Sequence, residues 1–318
     1  EKAHTYSGVA ATYTITITGV NGGFKFNNAG DKTVIATISQ WGSMAITGTH
    51  SFAGCSNLLV TATDSPTIST TSFGATFMNC TALTSVPSLA SWDTSAALNW
   101  TSFFQDCPNF NMSLTGVDTS AATNMSGMFV RCTSMTNTIS VLDTSSVTNM
   151  TNMMLGCTSY NAPVMGGNLT GANVVNFAGM FNSCPAFNQP LAGLVTSSAT
   201  YISNIASASP AFNQDVSSWD VSSVLGMISA FNSSSGAFDQ DLGGWDIQSL
   251  TSAAGMLGSQ TLSTANYDSL LTGWDANTHN NTVTFSGGTS KYTGGGAAAT
   301  ARANLVADGW TITDGGVA

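Results

Sequence analysis

The residues in this chain with the greatest chemical potential are six cysteines, which recur at nearly constant intervals: Cys55, Cys80, Cys107, Cys132, Cys157 and Cys184. The gaps between them are 25, 27, 25, 25 and 27 residues. An even number of cysteines is compatible with a disulfide framework in an oxidising compartment. The favoured interpretation is a structural ladder of buried thiols, one per repeat, because stacked equivalent side chains point the same way, which is poor disulfide geometry.

Later copies of the repeat support this cysteine ladder. Alignment on a Phe-Asn-Gln marker places serines at the cysteine position, namely Ser209, Ser235 and Ser259. The position therefore selects a small side chain rather than sulfur chemistry. Zinc is not predicted, because the chain has no Cys-x-x-Cys pair and no paired histidines.

A second set of candidate ligands is a series of aspartates in a recurring Trp-Asp-Thr-Ser motif or its relics: Asp93, Asp118, Asp143, Asp220 and Asp246. Such carboxylates could bind Ca²⁺, and the densest acidic stretch is Asp239-Gln240-Asp241. Nothing matches an EF-hand or a Gly-Gly-x-Gly-x-Asp repeat. The favoured interpretation is a turn in which Asp accepts the backbone amide two residues on, so no metal site is predicted.

Catalytic constellations are not evident in the sequence. Glu1 is the only glutamate, and the aspartates recur at repeat spacing, as scaffold residues do. His4, His50 and His279 are isolated, and no Gly-x-Ser-x-Gly elbow or Gly-Lys-Ser/Thr phosphate loop is present. The prediction is a protein that is not an enzyme, with no catalytic residues and no cofactor.

The elements that position the cysteines are repeats of about 25 residues. Met125, Met128, Phe129 and Cys132 fall at i, i+3, i+4 and i+7, which is one face of a short helix. The stretch from each cysteine to the next Trp-Asp lacks this period and predicts a strand and turns. One short parallel strand plus a short helix or 3₁₀ turn per repeat predicts a repeat solenoid that is leucine-rich-repeat-like.

The array of about nine repeats is predicted to span residues 51–262. An N-terminal β cap is predicted over residues 1–50, where residues 12–18 alternate and Asn21-Gly22-Gly23 precedes Phe24-Lys25-Phe26 as in a hairpin. A further strand is predicted over 33–38. Caps are expected because a bare end of such an array exposes apolar core and unpaired strand.

A C-terminal α+β cap is predicted over residues 263–318. Tyr267, Leu270, Leu271 and Trp274 have helical spacing after Ser263. Residues 283–285 are predicted to form a strand, 297–306 a second helix and 310–312 a closing strand.

Composition limits the partners. Charged residues make up only 7% of the 318 residues, against about 25% in a typical protein, and hydrophobic residues make up 42%. The net charge is −10, and six Lys and Arg are too few to meet a nucleic acid backbone, so no nucleic acid partner is predicted. No run of 18 or more apolar residues exists, so no transmembrane segment is predicted.

The repeat pattern resembles a known family. Its consensus, Trp-Asp-Thr-Ser-x-Val-Thr-Asn-Met-x-x-Met-Phe-x-x-Cys-Thr-Ser-Phe-Asn-Gln, is similar to the BspA-like leucine-rich-repeat surface proteins, and specifically to the lipoprotein-type repeat of mycoplasmas. The resemblance covers about two thirds of the chain. It implies secreted or surface-displayed proteins, some of them adhesins, and similar repeats also resemble parts of phage and other viral structural proteins. Later copies depart from the pattern, with Ser for Cys and Ile205-Ala206 for Met-Phe.

Two functions of different classes follow. The first is a non-enzymatic, extracellular or cell-surface binding protein, adhesin-like, which recognises a host or cell-surface protein or glycan through its solenoid surface. The alternative is a structural component of a virion or of a fibre or filament, such as a phage surface or receptor-binding protein, located at the virion surface. Self-assembly into a homo-oligomer such as a ring, trimer or fibre favours the structural function, and a monomer with an exposed aromatic patch favours adhesion.

Overall fold

Short parallel pairings between successive stretches of chain organise the protein. A computed structural model describes residues 25–165, 169–234 and 236–318. Its strands are β1 Thr37–Ile38, β2 Ala45–Ile46, β3 Leu59–Val60, β4 Thr67–Ile68, β5 Ser252–Ala253, β6 Thr284–Ser286 and β7 Thr311–Thr313. Its helices are α1 Thr264–Ala276, α2 Ala297–Ala307 and a 3₁₀ turn at Leu89–Ser91.

All strand pairs in the described residues are parallel. β1 pairs with β3, and β2 pairs with β4. β5, β6 and β7 form a three-stranded sheet in sequence order. Between these sheets a series of single parallel bridges links each repeat to the next: Ser72, Asn99, Asn124, Asn149, Asn176, Tyr201, Gly226 and Ser252. Ser252 belongs to β5 and pairs with Thr284 in β6, which in turn pairs with Thr311 in β7. One continuous ladder therefore runs from Ser72 into β7.

This bridge ladder identifies the architecture as a repeat fold with short parallel strands and few helices. The same contact recurs once per repeat, so each repeat is stabilised mainly by its two neighbours. The finer assignment, a leucine-rich-repeat-like solenoid, stays a prediction. The division at residues 50 and 262 also stays a prediction, although the ladder crosses residue 262 without interruption.

The segment before each cysteine differs from the predicted helix. In residues 125–132 the chain forms consecutive turns, in which Met128 N–H donates to Met125 O at 3.2 Å and Cys132 N–H donates to Phe129 O at 3.0 Å. Alternate amides instead donate to the next repeat: Phe129 N–H reaches Met153 O at 2.9 Å. Gly127 and Arg131 have φ of 63° and 56°. Left-handed residues break a right-handed helix, so the apolar spacing is retained in turns rather than in a helix.

The core follows these turns along the array. Aromatic side chains from successive repeats stack in a row, with centroid separations of 5.5 Å for Phe52–Phe77, 5.7 Å for Phe77–Phe104 and 5.9 Å for Phe104–Phe129. A second row is formed by Phe187, Phe212 and Phe238. Each ring fills the space above its neighbour, so the core is continuous through the repeats.

The N-terminal cap is described only in part. The predicted hairpin of residues 12–26 lies largely outside the described residues. Of the strand predicted over 33–38, only Thr37–Ile38 forms β1, because Val34 N–H closes a turn on Asp31 O at 3.0 Å.

The two helices and two strands predicted for the C-terminal segment are present, and their role as a cap stays a prediction. α1 begins after Ser263, whose side chain accepts from Asn266 N–H, and its apolar face buries Tyr267, Leu270, Leu271 and Trp274. α2, β6 and β7 lie within one residue of their predicted positions. Helix α1 also continues the repeat contact: the indole N–H of Trp274 donates to Leu242 O at 3.1 Å, as that of Trp245 donates to Val216 O at 3.1 Å.

Candidate binding surface

The six cysteines are buried free thiols. Each one after the first donates its S–H to a backbone carbonyl in the preceding repeat, as Cys132 does to Phe104 O at 3.1 Å and Cys157 to Phe129 O at 2.9 Å. Burial raises the pKa of the Cys107 and Cys184 thiols to about 12 and that of Cys132 well above its usual value. The side chains therefore act as short hydrogen-bond donors between repeats, and their thiolates are disfavoured.

The later copies keep this hydrogen bond with other side chains. Ser209 donates to Phe181 O at 2.7 Å. Ser235 lies outside the described residues. Ser259 is not the next member: the amide of Gln260 donates to Phe231 O at 2.8 Å, so the alignment is wrong by one residue there. These positions share a side-chain hydrogen-bond donor that reaches a backbone carbonyl of the preceding repeat.

The native thiols should be unreactive toward a disulfide reagent at neutral pH, because burial disfavours the reactive thiolate. All six should then react after unfolding in urea without reductant. Cys132→Ser should destabilise only mildly, since Ser209 makes the same hydrogen bond. Thiol counting before and after unfolding tests this. If no thiol appeared until reductant was added, the cysteines would be paired and the ladder would be refuted.

The aspartates of the Trp-Asp motif form local turns. Asp118 Oδ1 accepts the N–H of Ser120 at 3.0 Å and its hydroxyl at 2.7 Å. Asp143 and Asp246 accept the amides two residues on at 2.9 and 3.1 Å. The hydrogen bonds from Ser120 hold the pKa of the Asp118 carboxyl below its usual value. In the described residues no group of three or more His, Cys, Asp or Glu is arranged to hold a metal ion.

The remaining candidates for catalysis do not converge. His50 lies in a turn with φ of 61°. The ring of His279 lies between Asn277 O and the Asp308 carboxylate, at 2.8 and 3.2 Å. Glu1 and His4 lie outside the described residues.

The outward edge of the bridge ladder carries a row of half-buried amides, the Asn row, formed by Asn124, Asn149 and Asn176. Each Oδ1 accepts the amide N–H two residues on, at 2.9 Å in all three cases. This fixes the side chain, while each Nδ2 has no hydrogen-bond partner within the described chain. The row thus presents oriented donors, one per repeat.

A shallow groove of about 320 Å³ reaches the Asn row at Asn149. We call it the Asn149 groove. No charged side chain lines it, and its polar lining consists of hydroxyls and amides: Thr101, Ser102, Gln105, Ser126, Asn149, Thr151 and Asn152. Its floor lies on three successive repeats, so a ligand lying in it would contact several copies of the same motif.

An exposed apolar cluster follows the Asn row, and we call it the Tyr201 patch. It contains Val175, Tyr201, Leu225 and Ile228, each about two fifths exposed. Tyr201 stands in the bridge ladder where the preceding repeats have Asn. Its ring lies against Gly226: a side chain at position 226 would place its Cβ 3.5 Å from Tyr201 Cδ1. The patch was not predicted from the sequence, although the change from Thr-Asn-Met to Thr200-Tyr201-Ile202 indicates that this repeat differs.

No helix in the described part of the chain has the length and apolar character needed to cross a membrane.

Comparison with known proteins identifies one family. The model of a family described as "Mycoplasma protein of unknown function, DUF285" matches three overlapping stretches, residues 24–137, 71–193 and 164–274. No curated protein and no solved structure matches the chain. The three matches together cover most of the chain and fall on the repeats that carry the cysteines, the Asn row and the Tyr201 patch. The chain belongs to this Mycoplasma repeat family.

Proposed function

We propose that the chain is a non-enzymatic, extracellular binding protein of the cell surface, adhesin-like, whose repeats form one BspA-like, leucine-rich-repeat-like solenoid. It uses no cofactor. Its partner is a host or cell-surface protein or glycan, which it contacts through the outer face of the bridge ladder. The family membership supports a repeat protein of mycoplasma type, and the surface itself supports binding.

The observation that carries this proposal is the Tyr201 patch. Isolated exposed apolar residues are ordinary, but several on adjacent repeats of one ladder are typical of interaction sites. Tyr is also enriched among the residues that dominate binding energy. Tyr201 stands where the preceding repeat has Asn176, and Ile228 stands where the preceding repeat has Ser203. Both apolar side chains stay exposed instead of joining the core.

Tyr201→Asn combined with Ile228→Ser tests the proposal, since it restores the polar residue types of neighbouring repeats. Binding of the labelled protein to cultured epithelial cells should weaken by about tenfold or more, the effect expected from losing a central aromatic anchor. Val306→Ser is the matched control, because Val306 is equally exposed but lies on α2. Cell binding that the double variant leaves unchanged, or an absence of wild-type binding, would contradict the proposal.

The alternative is a structural subunit of a virion or fibre. It is favoured by β7, which in the described residues pairs on one side only. An unpaired strand edge is a template for another chain. Sedimentation of the same preparation as long polymers would favour this alternative, and a monomer would favour the binding protein.

A further inference from the structure

We infer that the Asn row and the Asn149 groove bind an extended, uncharged polysaccharide, which lies along the repeat axis with one sugar against each repeat. The inference rests on the proposed binding role of this face and assigns the class of its ligand. Four properties of the face lead to it: its donors, its spacing, its charge and its aromatic end.

The donors of the Asn row are fixed before any ligand arrives. Asn149 Oδ1 accepts both the N–H of Thr151 at 2.9 Å and its hydroxyl at 2.6 Å. The amide plane is thereby held, and Nδ2 remains available. Asn124 and Asn176 each accept only the backbone N–H two residues on, from Ser126 and Ala178. Preorganised donors lose little conformational entropy on binding, and they suit the hydroxyl and ring oxygens of a sugar.

The spacing of the donors follows from the parallel bridges that join these residues. Neighbouring chains in a parallel ladder lie about 4.8 Å apart. This distance is close to the length that one pyranose ring adds to an extended, β-linked polysaccharide. Because successive β-1,4-linked sugars are turned by half a turn, Asn124 and Asn176 would meet the same edge of the chain and Asn149 the opposite edge, and both edges carry oxygens that can accept from an amide.

The charge of the face selects against ionic ligands. No charged side chain belongs to the Asn row or lines the Asn149 groove. Between residues 33 and 290 the only Lys or Arg is Arg131, and Asp106 neutralises it in an ion pair. A polyanion would find no free cation there, and a basic peptide would find no carboxylate in the groove, so the complementary ligand is neutral.

The row ends at an aromatic ring. Asn176 bridges to Tyr201, whose side chain is 44% exposed and lies against Gly226. A tyrosine ring offers an apolar face together with a polar hydroxyl, and the face of a pyranose ring is likewise apolar with a polar rim. Tyr201 is placed to stack on the sugar that follows those at the Asn row.

Asn149→Asp is the sharpest test, because the carboxylate keeps the acceptor for Thr151 but replaces the free donor by a negative charge. Binding of cellohexaose and chitohexaose to the full chain, measured by titration calorimetry, should weaken by about tenfold or more, and Tyr201→Asn should weaken it as well. Asn213→Asp is the matched control. It adds the same charge at a position where the next repeat already has an aspartate, Asp239. The side chains of Asn213 and Asp239 both accept a backbone N–H from the repeat that follows them. Its affinity should equal that of the wild type.

Maltohexaose, which coils, and heparin, which is anionic, should bind much more weakly than the β-linked probes. The inference is overturned if the wild type binds neither cellohexaose nor chitohexaose, if heparin binds best, or if Asn149→Asp and Asn213→Asp behave alike. Cell binding that depends on Tyr201 without any binding of these sugars would leave the adhesin proposal standing with a protein partner. Sugar binding without cell binding would leave the polysaccharide site standing and would contradict the adhesin proposal.

Discussion

Replacing Phe129 by alanine should lower the free energy of unfolding by about 3–5 kcal/mol, the cost of deleting a buried aromatic ring and leaving a cavity. Phe129 has no exposed surface. Its ring stacks on Phe104 and Phe110 at centroid distances of 5.9 and 6.3 Å. The turns around it are tied to the next repeat, so the backbone cannot readily collapse into the space. Urea unfolding followed by circular dichroism measures the loss.

The loss should also be local. In a repeat array each unit is stabilised by its neighbours, so hydrogen exchange should rise first in the repeats that contain Phe104 and Phe129, while α1 remains protected. Leu98→Ala is the matched control: Leu98 is a large apolar residue but 44% exposed, and its removal should change stability by no more than about 0.5 kcal/mol. Equal effects of the two substitutions would show that the packing of residues 125–132 is wrong.

The period of the chain was the part of the fold most accessible from sequence. Cys132 and Cys157 make the same contact with the repeat before them, so a single spacing encodes every such contact along the array. The burial of Met128 and Phe129 follows from the same spacing. Helix α1 was also predictable, because its cap and its four apolar residues lie close together in sequence.

The turns before each cysteine could not be distinguished from a helix by apolar spacing alone. Positions i, i+3, i+4 and i+7 point inward in both structures. The difference lies in left-handed residues, and those are Gly127 in one repeat but Asn152 in the next. Non-glycine residues occupy this conformation less readily, and here the hydrogen bonds between repeats hold them in it. That influence is not local, so the sequence of one repeat does not display it.

The binding surface was hidden for a related reason. Asn124 and Asn149 are part of the repeat consensus, and a recurring residue looks like scaffold. Only the bridges show that these side chains align in one row and that Tyr201 continues it. The role of Gln260 in place of a cysteine was hidden as well. Its side chain is longer than that of cysteine and donates to Phe231 O from a position one residue away from the aligned one, so only the structure shows the contact.

The C-terminal helices are held to the ladder by a buried carboxylate. Asp314 follows β7, and its side chain is only 3% exposed. It accepts the hydroxyl of Tyr267 in α1 at 2.7 Å and the Nε–H of Arg302 in α2 at 2.7 Å. Gly316 N–H adds a further hydrogen bond at 3.1 Å. One carboxylate therefore joins α1, α2 and the final strand.

Asp314→Ala should accordingly lower the free energy of unfolding of this region by about 3–5 kcal/mol, because it leaves the guanidinium of Arg302 partly buried and unpaired. Trp274 and Trp310, whose ring centroids lie 6.1 Å apart in this C-terminal region, report its unfolding by fluorescence. The exposed pair Arg131–Asp106 supplies the control. Arg131 is 53% exposed, and Asp106→Ala should cost no more than about 1 kcal/mol. A smaller loss for Asp314→Ala than for Asp106→Ala would contradict the role assigned to Asp314.

The Asp314 carboxylate should also make the stability of the C-terminal region depend on pH. Burial raises the pKa of Asp314, but the hydrogen bonds from Arg302, Tyr267 and Gly316 outweigh it and leave the pKa below its usual value. A carboxyl with a lower pKa in the folded state stabilises that state above its unfolded pKa of about 3.9 and loses this contribution as the pH falls through the folded pKa. The wild type should therefore lose stability in the C-terminal region on acidification below about pH 4. Asp314→Ala should lose less over the same range, because it has already lost the group that titrates. Parallel acid dependence in the two proteins would mean that other carboxyls control unfolding there.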